Sequence, residues 1–273
     1  MVTKLVLLLI LGGMADSYAQ IREMPINQSS NSRTNTNTAR LKDLGPIELP
    51  FWDDFSETNR YVDTTWWEAN GLVQVIAKPG IGIDPPSINV ATFDGVNALG
   101  EVYSDTKSDG PVDSLVSRKI DLTKVPASLR NTVFLSFFYQ AKGLGEQPEE
   151  QDSLLLYMKQ DDGNWQLIWP LANDPYQTDP TVFTEKFIQV SDPTYYHPEF
   201  QFMFKAIGRQ NGWFDNWHID YVYMDKRRAL GDNSYLDRSW TQLPSSILGA
   251  YSALPVAEYQ IRASAGSVLS AAN

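Results

Sequence analysis

The chain has 273 residues, of which 42% are hydrophobic and 12% aromatic, and this apolar share excludes wholesale disorder. Its 22 Lys and Arg residues stand against 33 Asp and Glu, a net charge of −11 that disfavours nucleic acids and anionic membrane surfaces as partners. It has no cysteine and only two histidines, which excludes disulfides, thiol nucleophiles and metal sites rich in Cys or His.

The first segment, residues 1–19, has the pattern of a secretory signal peptide. Lys4 precedes an apolar run over 5–11, and the small residues Ser17 and Ala19 predict cleavage before Gln20. The run is too short to cross about 30 Å of hydrocarbon, and no later apolar segment is long enough. We therefore expect an exported protein without a transmembrane segment, located at the cell surface or outside the cell, with the periplasm as the alternative.

Residues 20–47 are predicted to be a flexible leader, because the stretch 27–39 contains almost nothing that a core could bury. The composition changes abruptly at Leu49, where aromatic residues begin to follow one another closely. We expect the folded domain to span residues 48–228.

A series of short β-type runs, separated by Gly, Pro, Asn and Asp, fills this domain. Asp162-Gly163 between two apolar runs is typical of a β-hairpin, because Gly adopts a positive φ without penalty. Phe200, Phe202 and Phe204 alternate with polar or longer side chains, as in a strand with one buried face. The pattern predicts an all-β, antiparallel two-sheet sandwich. The predicted strands are 50–56, 73–77, 88–94, 113–120, 132–140, 153–160, 165–170, 182–190, 200–207 and 217–224.

The strand pattern stops after Arg228. Residues 229–273 hold two prolines and end in small side chains, with a predicted short helix over 245–254. We expect a tail, or a linker that leads to further domains of a longer protein.

The order of several short motifs resembles the MAM-like, concanavalin-type jelly-roll modules of secreted bacterial proteins. It is most similar to the N-terminal module of large Bacteroidetes surface proteins associated with gliding and type IX secretion. The resemblance spans residues 50–228 and implies a jelly-roll β-sandwich. The motifs are Phe51-Trp-Asp-Asp-Phe55, Ser87-Ile-Asn-Val-Ala-Thr-Phe-Asp94, Asp113-Ser-Leu-Val-Ser-Arg-Lys-Ile-Asp-Leu122, Val133-Phe-Leu-Ser-Phe-Phe-Tyr139 and Trp213-Phe-Asp-Asn-Trp-His-Ile-Asp-Tyr-Val-Tyr223.

The resemblance also implies a structural calcium ion, since related modules carry one at a comparable place. The first and last strands of such a jelly roll commonly lie side by side, which would bring Asp54 and Asp220 together. Asp94 or Asp215 would help to complete the oxygen ligands that Ca²⁺ prefers. The alternative is that these aspartates cap turns by accepting backbone N–H bonds.

Catalysis is not expected, although the concanavalin-type fold also supports polysaccharide hydrolases. A retaining glycosidase needs two carboxyl groups about 5–5.5 Å apart, and no strand carries the spacing Glu-x-Asp-x-x-Glu. Glu146, Glu149 and Glu150 are more typical of a solvated acidic loop. His197 and His218 are not accompanied by a Gly-x-Ser-x-Gly elbow, so a serine triad is not indicated.

Aromatic residues are the remaining candidates for ligand contact. Trp213 and Phe214 follow Asn211-Gly212 on a predicted loop, and Trp66 and Trp67 are a second candidate pair. Exposed rings of this kind stack on the C–H faces of sugars, whereas the alternative is that most of the tryptophans fill the space between two sheets.

These features predict a non-catalytic recognition or scaffold module of a secreted or surface protein, which binds a glycan or an envelope protein. A polysaccharide hydrolase is one alternative. A periplasmic or outer-membrane component of the type IX secretion and gliding machinery is the other.

Overall fold

A computed structural model describes residues 45–232 except 58–59, 70–72, 78–80, 108 and 173–178. The predicted signal peptide, all but the last residues of the predicted leader, and the predicted helix over 245–254 lie outside this part of the chain. Within it, no helix is long and apolar enough to span a membrane.

Within the described ranges the chain forms ten strands, and each overlaps one of the ten predicted runs. Three short 3₁₀ helices, which the strand pattern did not predict, lie in the connections at Leu122–Lys124, Ala127–Thr132 and Pro193–Tyr195. The strands are β1 Phe51–Asp53, β2 Gln74–Ala77, β3 Asn89–Phe93, β4 Asp109–Val116, β5 Phe134–Ala141, β6 Ser153–Lys159, β7 Trp165–Ala172, β8 Thr184–Gln189, β9 Phe202–Arg209 and β10 Trp217–Asp225.

The described strands form two antiparallel sheets, which confirms the predicted all-β, two-sheet fold. One sheet has the order β2-β3-β10-β5-β8, with β1 also paired to β10, and the other has the order β4-β9-β6-β7. In the β1–β10 pair, Phe51 lies opposite Met224 and Asp53 lies opposite Val222. The first and last strands are therefore neighbours, as the resemblance to jelly-roll modules implied.

The core lies between the sheets; β6 and β9 contribute to it by strict alternation, whereas β3, β5 and β10 are buried at nearly every position. On β9, Phe202 and Phe204 are fully buried, while the residues between and after them are half-buried. Phe137 of β5 meets Phe204 across the sandwich with ring centroids 4.7 Å apart. Burying each such side chain stabilises the fold by about 1.5–3 kcal/mol relative to leaving it in water.

Strand β4 begins four residues earlier than predicted and also ends earlier. It starts at Asp109 and contains Pro111, and its pairing with β9 is irregular between Pro111 and Ser114. The predicted strand starts after Pro111, a residue that cannot donate a ladder hydrogen bond. The residue is accommodated here because β4 is an edge strand.

The loop of residues 81–88, which leads into β3, covers the outer face of the six-stranded sheet. Gln140 on β5 accepts the N–H of Ile83 at 2.8 Å and donates to the Ile83 carbonyl at 2.9 Å. The N–H of Ser87 reaches the carboxylate of Asp220 on β10. His218 and Asp220 are consequently fully buried although they point away from the core.

Candidate functional site

Trp213 lies in the loop between β9 and β10, where 40% of its surface is exposed. Its ring lies against a turn at Gly100, where an added Cβ would stand 3.3 Å from Trp213 Cζ2. The neighbouring Leu99 is 63% exposed. We call Leu99, Gly100 and Trp213 the Trp213 patch, an apolar surface at one end of the sandwich.

Phe214 holds the loop that carries the patch and is itself half-buried. Its backbone N–H donates to the carbonyl of Asp94 at 3.1 Å, and the guanidinium of Arg209 lies 5.0 Å from the centre of its ring. A Cβ on Gly212 would stand 2.4 Å from Phe214 Cε2, so glycine is required at that position. Phe214 therefore positions Trp213 more than it extends the exposed surface.

Two polar side chains lie on the turn 97–101, which also carries Leu99 and Gly100 of the patch. The side-chain carbonyl of Asn97 accepts the backbone N–H groups of Leu99 at 2.9 Å and Glu101 at 3.0 Å, and its amide donates to the Glu101 carboxylate. The turn thus presents hydrogen-bonding side chains beside an exposed ring, a combination typical of sites that bind amphipathic ligands.

Trp66 and Trp67 lie away from the Trp213 patch. They are near the C-terminal end of β4, whereas Arg209, next to the patch, pairs with the first residue of β4. Trp67 bridges to Ser117, is 1% exposed and stacks on Phe55 with ring centroids 5.9 Å apart. Trp66 is half-buried and packs its ring edge-on against the buried Phe51. The structure therefore places Trp67 in the core, where it presents no surface to a ligand.

The backbone carbonyl of Asp54 and the carboxylate of Asp220 come together at Ser87. Oδ1 of the Asp54 carboxylate instead accepts the N–H and the hydroxyl of Ser56, as in the turn-capping alternative. The Ser87 hydroxyl lies 2.6 Å from the Asp54 carbonyl, 2.9 Å from the Asn89 carbonyl and 3.0 Å from Asp220 Oδ1. One hydroxyl hydrogen cannot serve three acceptors, and burial raises the pKa of Asp220, with a smaller contribution from the charge of Asp54. This all-oxygen set has the chemistry that a hard cation such as Ca²⁺ requires.

Asp94 and Asp215 do not join that pair. Asp94 follows the last residue of β3, whereas Ser87 lies before its first residue, so the two are at opposite ends of the strand. Asp215 is close to Asp94, because the N–H of the adjacent Phe214 donates to the Asp94 carbonyl. Among the described residues, no three acidic or histidine side chains gather as a metal site. The four predicted aspartates therefore do not share one coordination shell.

Asp94 belongs instead to a buried network that anchors the turn carrying Leu99. Oδ2 of Asp113 accepts the N–H groups of Asp94 at 2.7 Å and Gly95 at 3.1 Å. The hydroxyl of Tyr103 donates to the other oxygen of Asp113 at 2.5 Å. Because Asp113 is fully buried, its pKa is raised to about 7.

The two histidines have structural contacts. Nδ1 of His218 lies 3.0 Å from the Thr92 hydroxyl and Nε2 lies 3.3 Å from the Lys142 carbonyl, and burial lowers the pKa of His218 to about 4. Nε2 of His197 lies 3.1 Å from the Lys159 carbonyl. These contacts occupy the ring nitrogens that a general base would need.

The outer face of the four-stranded sheet is a second apolar surface, which the sequence analysis did not single out. Val116, Met203, Tyr157 and Leu167 lie opposite one another across all four strands. The period-two alternation of β6 places Tyr157 on this face. The signal in the sequence was present, but it identifies a strand face without saying whether that face is covered.

No family model and no curated protein matches the chain. Among solved structures it is similar to TmCBM61 in complex with β-1,4-galactotriose, at 14% identity over 68% of this chain and 97% of that one, with a TM-score of 0.37. It is also similar to a CBM22-1 xylan-binding domain from Paenibacillus barcinonensis, at 12% identity over 67% of this chain and 98% of that one, with a TM-score of 0.37. A third similar structure is the K1 cleaved adhesin domain of Lys-gingipain from Porphyromonas gingivalis, at 12% identity over 64% of this chain and 97% of that one, with a TM-score of 0.38. The two-sheet fold itself is established by the strand pairing given above.

Proposed function

We propose that the domain is a non-catalytic, extracellular module that binds carbohydrate chains, with Trp213 as its main contact residue. The supporting observation is a tryptophan ring that is 40% exposed and yet held in place against Gly100. An aromatic ring that is already oriented loses little conformational entropy when a sugar stacks on it.

The polar groups next to the ring support a carbohydrate ligand over a purely apolar one. Asn97 and Glu101 provide an amide and a carboxylate on the turn that bears Leu99. Such groups can exchange hydrogen bonds with sugar hydroxyls at the edge of the stacked ring. The net charge of −11 favours neutral glycans over acidic polysaccharides.

The burial of two neighbouring carboxyl pairs supports a non-catalytic role. Asp94 and Asp113 are 1% and 0% exposed, and Asp152 and Asp215 are 1% and 3% exposed. A glycosidase must place two carboxyl groups on either side of the bond that it cleaves. Carboxyls buried to this degree are poorly placed to flank a polysaccharide chain.

We further propose that the module works at the cell surface or in the extracellular medium. The supporting features are the signal-peptide pattern of residues 1–19 and the resemblance to surface proteins of gliding and type IX secretion. Calcium at Asp54 and Asp220 stays a prediction, supported by the oxygen atoms that converge on Ser87.

The test compares two single variants in binding to a panel of neutral and acidic polysaccharides. Trp213→Ala removes the patch, and Tyr157→Ala is the matched control on the outer face of the four-stranded sheet. We expect Trp213→Ala to weaken binding at least tenfold, which corresponds to about 1.4 kcal/mol. Tyr157→Ala should change it less than twofold.

Several results would overturn the proposal. Loss of binding in Tyr157→Ala alone would move the site to the sheet face. Wild-type protein that binds no member of the panel would exclude carbohydrate as the ligand at this patch. Release of reducing ends from any polysaccharide would show that the protein is an enzyme.

A further inference from the structure

Two buried carboxyl groups face each other beneath the loop that carries Trp213. Asp152 directly precedes β6 and Asp215 lies two residues before β10, and their exposures are 1% and 3%. Burial is the largest influence on the pKa of Asp152 and raises it, while the hydrogen bond from the backbone N–H of Glu149 lowers it. The charge of Asp215 and a side-chain hydrogen bond with Asp215 raise it further. A Cβ on Gly208, which follows the β9 partner of Ser153, would stand 2.8 Å from Oδ2 of Asp215, so the pairing of β6 with β9 also brings the two carboxyls to the same place.

The hydrogen-bond donors around this pair do not satisfy all of its oxygens. Oδ2 of Asp215 accepts the backbone N–H of Arg209 at 2.7 Å, and Oδ2 of Asp152 accepts that of Glu149 at 2.5 Å. Oδ1 of Asp215 is buried, and no N–H or O–H group of the described residues donates to it; only a protonated Asp152 could supply a hydrogen bond between the two carboxyls. A buried carboxylate oxygen without a donor is costly, so its presence calls for a positive partner.

The nearest cationic side chain is engaged elsewhere. The guanidinium of Arg209 forms ion pairs with Glu146 at 3.7 Å and with Glu149, and it lies over the ring of Phe214. Arg209 contacts Asp215 through its backbone N–H. Three acidic side chains, those of Glu146, Glu149 and Asp215, thus act on a single guanidinium in this part of the described structure, and the buried Asp215 does not receive its hydrogen bonds.

We propose that Asp152 and Asp215 bind a divalent cation of the calcium type, with loop carbonyls and water as the remaining ligands. Two carboxylates suffice for such a site because Ca²⁺ accepts six to eight oxygens of mixed origin. The site is separate from Asp54 and Asp220, which converge on Ser87 beyond the other end of β3.

The ion would tie the loop 209–216 to the segment that leads into β6. Trp213 is two residues from Asp215, so the ion would fix the base of the Trp213 patch. Calcium would then be needed for full ligand affinity at the patch. This last consequence depends on the proposed function, whereas the cation site does not.

Terbium luminescence tests the site in the full exported chain. Tb³⁺ occupies oxygen-rich calcium sites and is sensitised by nearby tryptophans, and Trp213 and Trp217 each lie two residues from Asp215. We expect tryptophan-sensitised emission that Ca²⁺ displaces. Asp215→Asn should weaken binding at this site at least tenfold, and Asp220→Asn, which alters the other predicted site, should leave that emission in place.

Hydrogen exchange on the unmodified protein removes the dependence on variants that fold poorly. Adding Ca²⁺ should slow exchange in residues 143–152 and 209–217. Protection confined to residues 84–89, or emission lost in Asp220→Asn and kept in Asp215→Asn, would overturn the proposal. So would the absence of any effect of Ca²⁺ or Tb³⁺, which would leave the two carboxyls sharing a proton. Polysaccharide binding does not enter either measurement, so failure of the proposed function would be seen separately.

Discussion

The indole N–H of Trp67 donates a 2.6 Å hydrogen bond to Oδ2 of Asp53. Oδ1 of the same carboxyl accepts the backbone N–H of Phe55 at 2.8 Å. Burial raises the pKa of Asp53 to about 7, and the Trp67 bond acts against that rise. This contact links β1 to the segment before β2 inside the core.

Replacing Trp67 with Phe tests the importance of this bond. The variant leaves a buried carboxyl with one donor fewer, and we expect the free energy of unfolding to fall by about 1–3 kcal/mol. Urea denaturation at pH 7 measures the change. Trp66→Phe is the matched control, because Trp66 is half-buried and lies next in the sequence. Equal losses in the two variants would contradict a specific role for the hydrogen bond.

His218 gives the stability a defined dependence on pH. Burial lowers its pKa from 6.5 to about 4. The unfolded chain therefore binds a proton at a higher pH than the folded protein, and the stability that His218 contributes above pH 6.5 is lost as the pH falls through about 4. We expect the stability difference between wild type and His218→Gln to shrink by about 3 kcal/mol over this range. A difference that stays constant between pH 7 and pH 4 would contradict the assignment.

Calcium at Asp54 and Asp220 predicts a shift in melting temperature that can be separated from the second site. In an Asp215→Asn background, Ca²⁺ at 100 times its Kd should still stabilise the fold by about 2.7 kcal/mol. Adding Asp220→Asn should abolish that effect. If the single and double variants melt alike with Ca²⁺ and with EDTA, Asp54 and Asp220 serve only as hydrogen-bond acceptors.

Arg228 ties the end of the domain to the six-stranded sheet. Its guanidinium donates to the Tyr223 carbonyl and the Ser136 hydroxyl, both at 2.9 Å, and lies 4.2 Å from the centre of the Tyr223 ring. A lysine cannot reproduce this planar set of donors. We expect Arg228→Lys to cost about 2 kcal/mol in unfolding free energy. Arg227→Lys, at an exposed neighbouring position, should cost less than about 0.5 kcal/mol, and similar losses in both would contradict the role of Arg228.

The strands were predictable because their signals are local. Alternation in β6 and β9 and the Asp162-Gly163 turn act over a few residues, so one sequence is enough to find them. The start of β4 was wrong because tolerance of Pro111 depends on β4 being at a sheet edge, which is a property of the whole fold.

The candidate sites were only partly predictable, for a related reason. The approach of Asp54 to Asp220 follows from the pairing of the first and last strands. The meeting of Asp152 and Asp215 depends on Ser153 of β6 pairing with Ile207 of β9, which no local pattern specifies. The burial of Trp67 likewise depends on Phe51, Phe55 and Phe202, which surround its ring.

The pairing of β1 with β10 also determines how the domain responds to mechanical tension. Phe51, where the chain enters β1, lies opposite Met224, close to where the chain leaves β10. A pull on the two flanking segments first loads the bridge of Ile47 to Ile120 and the contacts of Arg228. Once these open, the pull acts on the same end of the antiparallel pair and opens its hydrogen bonds one after another. Pairs loaded in this peeling direction yield at lower force than pairs sheared along their length. In a protein stretched between a cell and a surface, β1 would be the first strand of the described sandwich to detach.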